Sequence, residues 1–192
     1  MKNQFEKTAN SLPNAFYDLI AYVIPSGIFI FFLIFEKVVN INSYDSNLSF
    51  FKDSWIYDLF FSFLYIALLY TLGVIISTLS YVLVRKPVLF FLSKFKKINS
   101  KMKKGLGTQM LTVQVQFNTE IYSEMLKKYA RVILLRNLTL TFLAILIIKM
   151  VYLWNYDYLL MYLFLFGIVF AAYCIRHYWF LQNLSQLHKS NT

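Results

Sequence analysis

Reactive and helix-breaking residues are scarce in this chain. A single cysteine, Cys174, lies inside an apolar run, which excludes an intrachain disulfide and a cysteine-based zinc site and leaves the redox compartment undefined. The two histidines, His177 and His188, have no ligand-spaced acid or cysteine beside them. No H-E-x-x-H, G-x-S-x-G, phosphate-loop or G-x-G-x-x-G pattern occurs, so the residues point to no enzyme, metal or cofactor. Acids are few as well, nine against nineteen Lys and Arg, for a formal net charge of +10. With three prolines and five glycines in 192 residues, long stretches run without a helix breaker. What fills the chain instead is apolar: 59% of residues are hydrophobic and 20% aromatic, above the roughly 45–50% apolar content of soluble domains. The composition suits hydrocarbon rather than water.

Apolar windows of about twenty residues recur at 17–35, 57–84, 132–153 and 158–175. Each is expected to be helical, because an open strand leaves backbone groups unpaired in lipid. The first is read as a retained span, since it is too long for a signal-peptide core and ends in Glu36-Lys37 with no small-residue cleavage site. Twelve of Leu19–Phe35 are Leu, Ile, Val or Phe, together about −4 to −7 kcal/mol on the insertion scale. An interior proline opposes that by roughly 3 kcal/mol in a water-soluble helix, so the segment inserts despite Pro25. The expected fold is an all-α membrane protein: a hairpin over 1–84, a basic cytoplasmic segment over 85–131, and a second hairpin with a C-tail over 132–192.

Charge sets the expected orientation. Residues 85–137 carry twelve Lys and Arg against Glu120 and Glu124, which by the positive-inside rule places that segment and both termini in the cytoplasm. Lys149, one turn from the outer end of span three, is expected to snorkel, and Arg176-His177-Tyr178-Trp179 to anchor at the inner interface. No ionisable residue falls at the centre of a span, which disfavours a charge-lined channel or a proton relay.

Within the basic segment, KFKKINSKMKK holds Lys94, Lys96, Lys97, Lys101, Lys103 and Lys104 without an acid. At about 1 kcal/mol per lysine it is attracted to an anionic leaflet, and it equally suits an acidic protein or a nucleic acid. LTVQVQF (111–117) alternates in the manner of one extended segment that would pair with a partner. From Asn118, a helix cap, no proline or glycine interrupts the chain before Tyr158. A helix over 119–153 is therefore expected, about 50 Å long against a ~30 Å core, projecting as a stalk that carries Lys127, Lys128 and Arg131.

Packing and hinge candidates are few. Pro25 breaks the helical hydrogen-bond ladder, Ser26 supplies a substitute partner, and Gly27 admits a neighbouring helix. Gly73-x-x-x-Ser77-x-x-Ser80 and Gly167-x-x-x-Ala171 are small-residue faces suited to close packing within or between protomers, so a homo-oligomer is expected.

Three stretches carry a family resemblance: the Asp18–Gly27 opening DLIAYVIPSG, the Leu72–Ser80 pattern L-G-x-x-x-S-x-x-S, and the helix bearing Tyr122, Tyr129, Arg131 and Arg136 that runs into span three. Together they resemble the small four-span membrane proteins of bacterial antiviral defence loci, the membrane subunits of the Kiwa antiphage system above all. Val74 stands where that pattern has a polar residue. The resemblance implies a homo-oligomeric, tetrameric inner-membrane sensor that is not an enzyme and works with a cytosolic DNA-binding partner. A second likeness, to the four-span accessory proteins of RNA-targeting CRISPR systems, implies a pore-forming or regulatory role.

Overall fold

The computed structural model describes residues 2–36, 55–95, 119–153 and 158–189, with side chains chiefly for 19–36, 62–90, 121–151 and 158–184. These residues are almost entirely helical and include no strand. Helix α1 spans Lys2–Phe35, α2 Trp55–Ser80, α3 Lys86–Phe95, α4 Thr119–Ile147 and α5 Leu159–Lys189, with π-helical turns at Tyr81–Arg85 and Ile148–Leu153. The lysines from Lys96 to Lys104 and the LTVQVQF segment lie outside the described residues, and Lys94 is described only as helical backbone.

Three stretches are long and apolar enough to cross a membrane: Ser62–Phe90, Ile121–Val151 and Leu159–Leu184; Leu19–Phe35 is a shorter fourth. At 1.5 Å per residue the last is about 25 Å long, the low end of what a bilayer accepts.

The helices outrun the expected spans. Where the sequence ends span two at Val84, the chain turns through Tyr81–Arg85 and continues as α3 to Phe95. The widened turn has a cause nearby, because Pro87 cannot donate to the carbonyl of Leu83 and its ring crowds that position. Helix α5 likewise runs past residue 175 to Lys189. Helix α4 and its π-turn together cover 119–153, the length expected from the absence of breakers.

Helix α4 is the axis of the bundle and touches α1, α2 and α5. In its apolar stretch 56% of residues are buried, against 22% for Ser62–Phe90 and 6% for Leu159–Leu184. The expected stalk packs against its neighbours. Met125 and Val132 of α4 pack with Val88 of α3 and with Phe180, Leu181 and Leu184 of α5 in one core, and the rings of Tyr129 and Phe180 stand 5.9 Å apart. The surplus lengths of three helices thus cover one another. Toward the other end α5 turns its apolar side chains outward, with Leu160 82% and Phe164 68% exposed.

Helices α1 and α2 cross at Gly73. A Cβ there would collide with the backbone of Tyr22, coming within 2.8 Å of its Cα. The edge-to-face rings of Tyr22 and Tyr70, 5.5 Å apart, flank the crossing. Gly73→Ala is expected to push the two helices apart at a cost of about 1–3 kcal/mol or more, because backbone cannot swing away as a side chain can. A fall in the detergent melting temperature would register this, whereas Gly27→Ala, with nothing within 4 Å of the new Cβ, should leave it nearly unchanged.

Candidate functional site

A proline inside a membrane helix leaves the carbonyl four residues back without its usual donor. Helix α1 continues through Pro25, and the carbonyl so freed is that of Ala21. Its donor comes from another helix: Asn137 Nδ2 of α4 lies 3.0 Å away. Sequence reasoning assigned the repair to Ser26. The Ser26 hydroxyl does stand 2.9 Å from the carbonyls of Tyr22 and Val23, but its shortest approach, 2.7 Å, is to the Leu69 carbonyl of α2. A single hydroxyl proton serves one acceptor at a time, and the Leu69 bond ties α1 to α2.

From Asn137 the network extends into α2. Ser80 Oγ approaches Asn137 Oδ1 at 2.7 Å and the Ser77 carbonyl of its own helix at 2.8 Å, so its one proton goes to either, the shorter bond being the one to Asn137. Ser80 Oγ in turn accepts from Arg136 Nε at 2.9 Å. Arg136 Nη2 donates to Ser77 Oγ at 2.9 Å and approaches the Ser77 carbonyl at 3.3 Å. Arg136, Asn137 and Ser80 are all buried. The chain of bonds is directional, and each bond polarises the next in a medium that cannot screen it. Thr141 Oγ1 sits 3.5 Å from the Pro25 carbonyl, so the proline is enclosed on this side by α4. By contrast the exposed hydroxyls of Thr71 and Thr78 turn back onto their own helix, to the Ala67 and Val74 carbonyls at 2.8 and 2.9 Å, which hides them from hydrocarbon.

Next to this network lies a second polar layer. Arg85, Tyr173 and His177 are buried, and Arg85 Nε, Tyr173 Oη and both ring nitrogens of His177 have no hydrogen-bond partner. The rings of Tyr173 and His177 are 5.3 Å apart. His177 is therefore not a headgroup anchor: three and a half turns of α5 beyond Phe164 it points into the bundle, while Arg176 and Trp179 of that group are exposed. Arg85 and Arg136, counted from sequence as loop charges, likewise belong to the interior.

A second level of charge closes the opposite end of α1. Lys149 Nζ pairs with Glu36 Oε1 at 2.7 Å, with the lysine side chain fully buried and the glutamate 9% exposed. The ammonium also faces the Tyr162 ring at 5.6 Å, and Tyr162 meets Phe32 edge-to-face. Lys149 does not snorkel, because a carboxylate at the end of α1 reaches it first. The two levels, Ala21 and Glu36, are about 22 Å apart along α1 at 1.5 Å per residue.

The other sequence candidates fall as follows. Pro25 and Ser26 are fully buried, Ser77 holds Arg136, and Gly73 is the helix crossing. Gly27 makes no close approach, Gly167 and Ala171 are exposed, and among the described residues nothing lies within 4 Å of a Cβ placed at Gly167. Lys127 and Arg131 are exposed, and Lys128 pairs with Glu124 at 2.8 Å. The residue that sequence reasoning missed is Asn137. Its signal was present: Arg136-Asn137 is a polar pair in an apolar helix, and Pro25 demands a donor on some neighbour.

Fold and composition define an all-helical, multi-pass membrane protein whose helices are joined by buried polar bonds. No family model, curated protein or solved structure matches the chain.

Two sets of substitutions test this site. Asn137→Leu is expected to destabilise by about 1–3 kcal/mol, the cost of stranding buried partners. In a Pro25→Ala background, where the restored N–H can serve Ala21, the same change should cost less by about 0.5–3 kcal/mol of coupling. Equal costs in both backgrounds would refute the repair. Lys149→Met or Glu36→Gln alone should cost about 3–5 kcal/mol, and the Lys149→Met/Glu36→Leu pair should recover most of it, as read from detergent melting curves.

Proposed function

We propose that this chain is a non-enzymatic membrane sensor and scaffold of bacterial antiphage defence. In this reading it assembles as a homo-oligomer in the inner membrane with both termini cytoplasmic, and engages a cytosolic, DNA-binding protein through its basic segment. The observation that carries the reading is the course of α4. One uninterrupted helix holds the polar network at Asn137, forms the core of the helical extension at Met125 and Val132, and presents Lys127 and Arg131 outward. A displacement of α1 or α2 in the bilayer therefore reaches the basic surface through rigid packing. The outward face of α5, with Gly167, Ala171 and large apolar neighbours, supports assembly of several copies. The defence assignment itself rests on the resemblance of Asp18–Gly27 and Leu72–Ser80 to membrane proteins of antiviral loci.

A second reading, a pore-forming effector or regulator of a CRISPR-type system, is favoured by the polar side chains that α4 buries in its apolar stretch: Arg136, Asn137, Thr139, Thr141 and Lys149. Polar groups at such depth often line pathways, although here most of them bond to neighbouring helices.

Purification from membranes under phage challenge discriminates the two. The sensor reading expects a co-purifying cytosolic protein that is lost when residues 94–117 are replaced by a neutral linker or when Lys127 and Arg131 are both changed to Glu. Retention of that protein by both variants would sink the sensor reading. Conductance of the purified chain in planar bilayers would establish the effector reading instead.

A further inference from the structure

Two guanidinium groups share the Ala21 end of the bundle. Arg85 and Arg136 are only 4% and 8% exposed, and both lie over the ring of Tyr81, at 4.7 and 5.9 Å from its centroid. The carboxylates whose side chains are described, Glu36 and Glu124, are each engaged by a lysine elsewhere. Tyr173 Oη and the His177 nitrogens nearby have no hydrogen-bond partner, and among the described residues no carboxylate faces either guanidinium, so Arg136 meets only the neutral oxygens of Ser77 and Ser80. Buried charge without a counter-charge is expensive, and an anion is the direct remedy.

The geometry leaves a place for one. Arg136 commits Nε to Ser80 and Nη2 to Ser77, which leaves the two N–H groups of Nη1 for a ligand. A groove of about 350 Å³ runs beside this guanidinium, walled by Tyr22, Ser77, Tyr81, Val82 and Tyr129. Its rim carries exposed apolar side chains, Val74 and Val82, which suit an acyl chain. A planar guanidinium edge matches two phosphate oxygens.

We propose that this groove binds the phosphate of an anionic membrane phospholipid, with Arg136 Nη1 holding the phosphate oxygens and Arg85 adding charge from across Tyr81. The site shares no residue with the Lys94–Lys104 patch and stands whether or not the chain is a sensor. The ligand completes the electrostatics of the bundle.

The full chain, purified in mild detergent and examined by native mass spectrometry, is expected to retain about one phosphatidylglycerol per protomer, with retention falling about tenfold in Arg136→Gln. Val82→Glu, which sets a carboxylate on the exposed groove wall and touches none of the buried bonds, should lower retention comparably, and it decides the matter if Arg136→Gln does not fold. Undiminished retention in Val82→Glu overturns the site. In a second arm, delipidated wild type is melted with phosphatidylglycerol, with diacylglycerol of the same chains, or with inorganic phosphate. Phosphatidylglycerol alone should raise the melting temperature. Equal stabilisation by inorganic phosphate would overturn the lipid assignment in favour of a soluble anion, and equal stabilisation by diacylglycerol would remove the phosphate contact.

Discussion

In hydrocarbon a backbone carbonyl without a donor costs several kcal/mol, because no water is present to take the place of the missing partner. Pro25 creates one such carbonyl at Ala21, and Asn137 Nδ2 answers it from α4. Much of the bundle follows from that single requirement. Asn137 reaches Ala21 only if α4 lies against α1, and its other end, Oδ1, then requires a donor, which Ser80 of α2 supplies. Three helices are fixed in rotation and height by one amide side chain. Apolar packing alone could not do this, since lipid tails are as apolar as Leu and offer no net gain to helices that turn their side chains toward one another.

The same logic explains why polar groups stand at two levels and are otherwise sparse. The Ala21–Asn137–Ser80–Arg136 chain closes one end of the apolar run of α1, and the Glu36–Lys149 pair closes the other. Between them the α1–α2 contact relies on the Ser26–Leu69 bond, small residues and aromatic edges, with Gly73 against the Tyr22 backbone as its tightest point. A buried ion pair adds little net stability over a hydrophobic replacement. What Glu36–Lys149 supplies is register, since neither charge tolerates a shift of α1 along α4 that would separate them.

The two ends differ in completeness. At the Glu36 end charge is balanced one against one and backed by the Tyr162 ring. At the Arg136 end two guanidiniums, a tyrosine hydroxyl and an imidazole are enclosed with hydrogen-bonding capacity unspent. That asymmetry distinguishes a finished structural joint from the one where an anion is proposed to bind. It lies where α4 passes from the membrane bundle into the packed extension formed with α3 and α5, so occupancy there bears on how firmly the two parts are coupled.

Several features of the protein were legible in the sequence. Hydropathy is a local property, so the apolar runs and the helical class could be read from composition and length, and the absence of Pro and Gly from 119 to 153 was enough to give the reach of α4. Pro25 and Ser26 announced a defect in the first span, and Gly73 a close approach. Partnership was not legible, because hydrogen bonds between Ala21 and Asn137, or Glu36 and Lys149, join residues more than a hundred positions apart, and no local pattern encodes which neighbour arrives. Reading Lys149, Arg136 and His177 one helix at a time therefore sent each toward water or headgroups, where an isolated charge belongs. Only when the helices pack does each of them enter the interior, where Lys149 meets a carboxylate, Arg136 the neutral oxygens of Ser77 and Ser80, and His177 no hydrogen-bond partner.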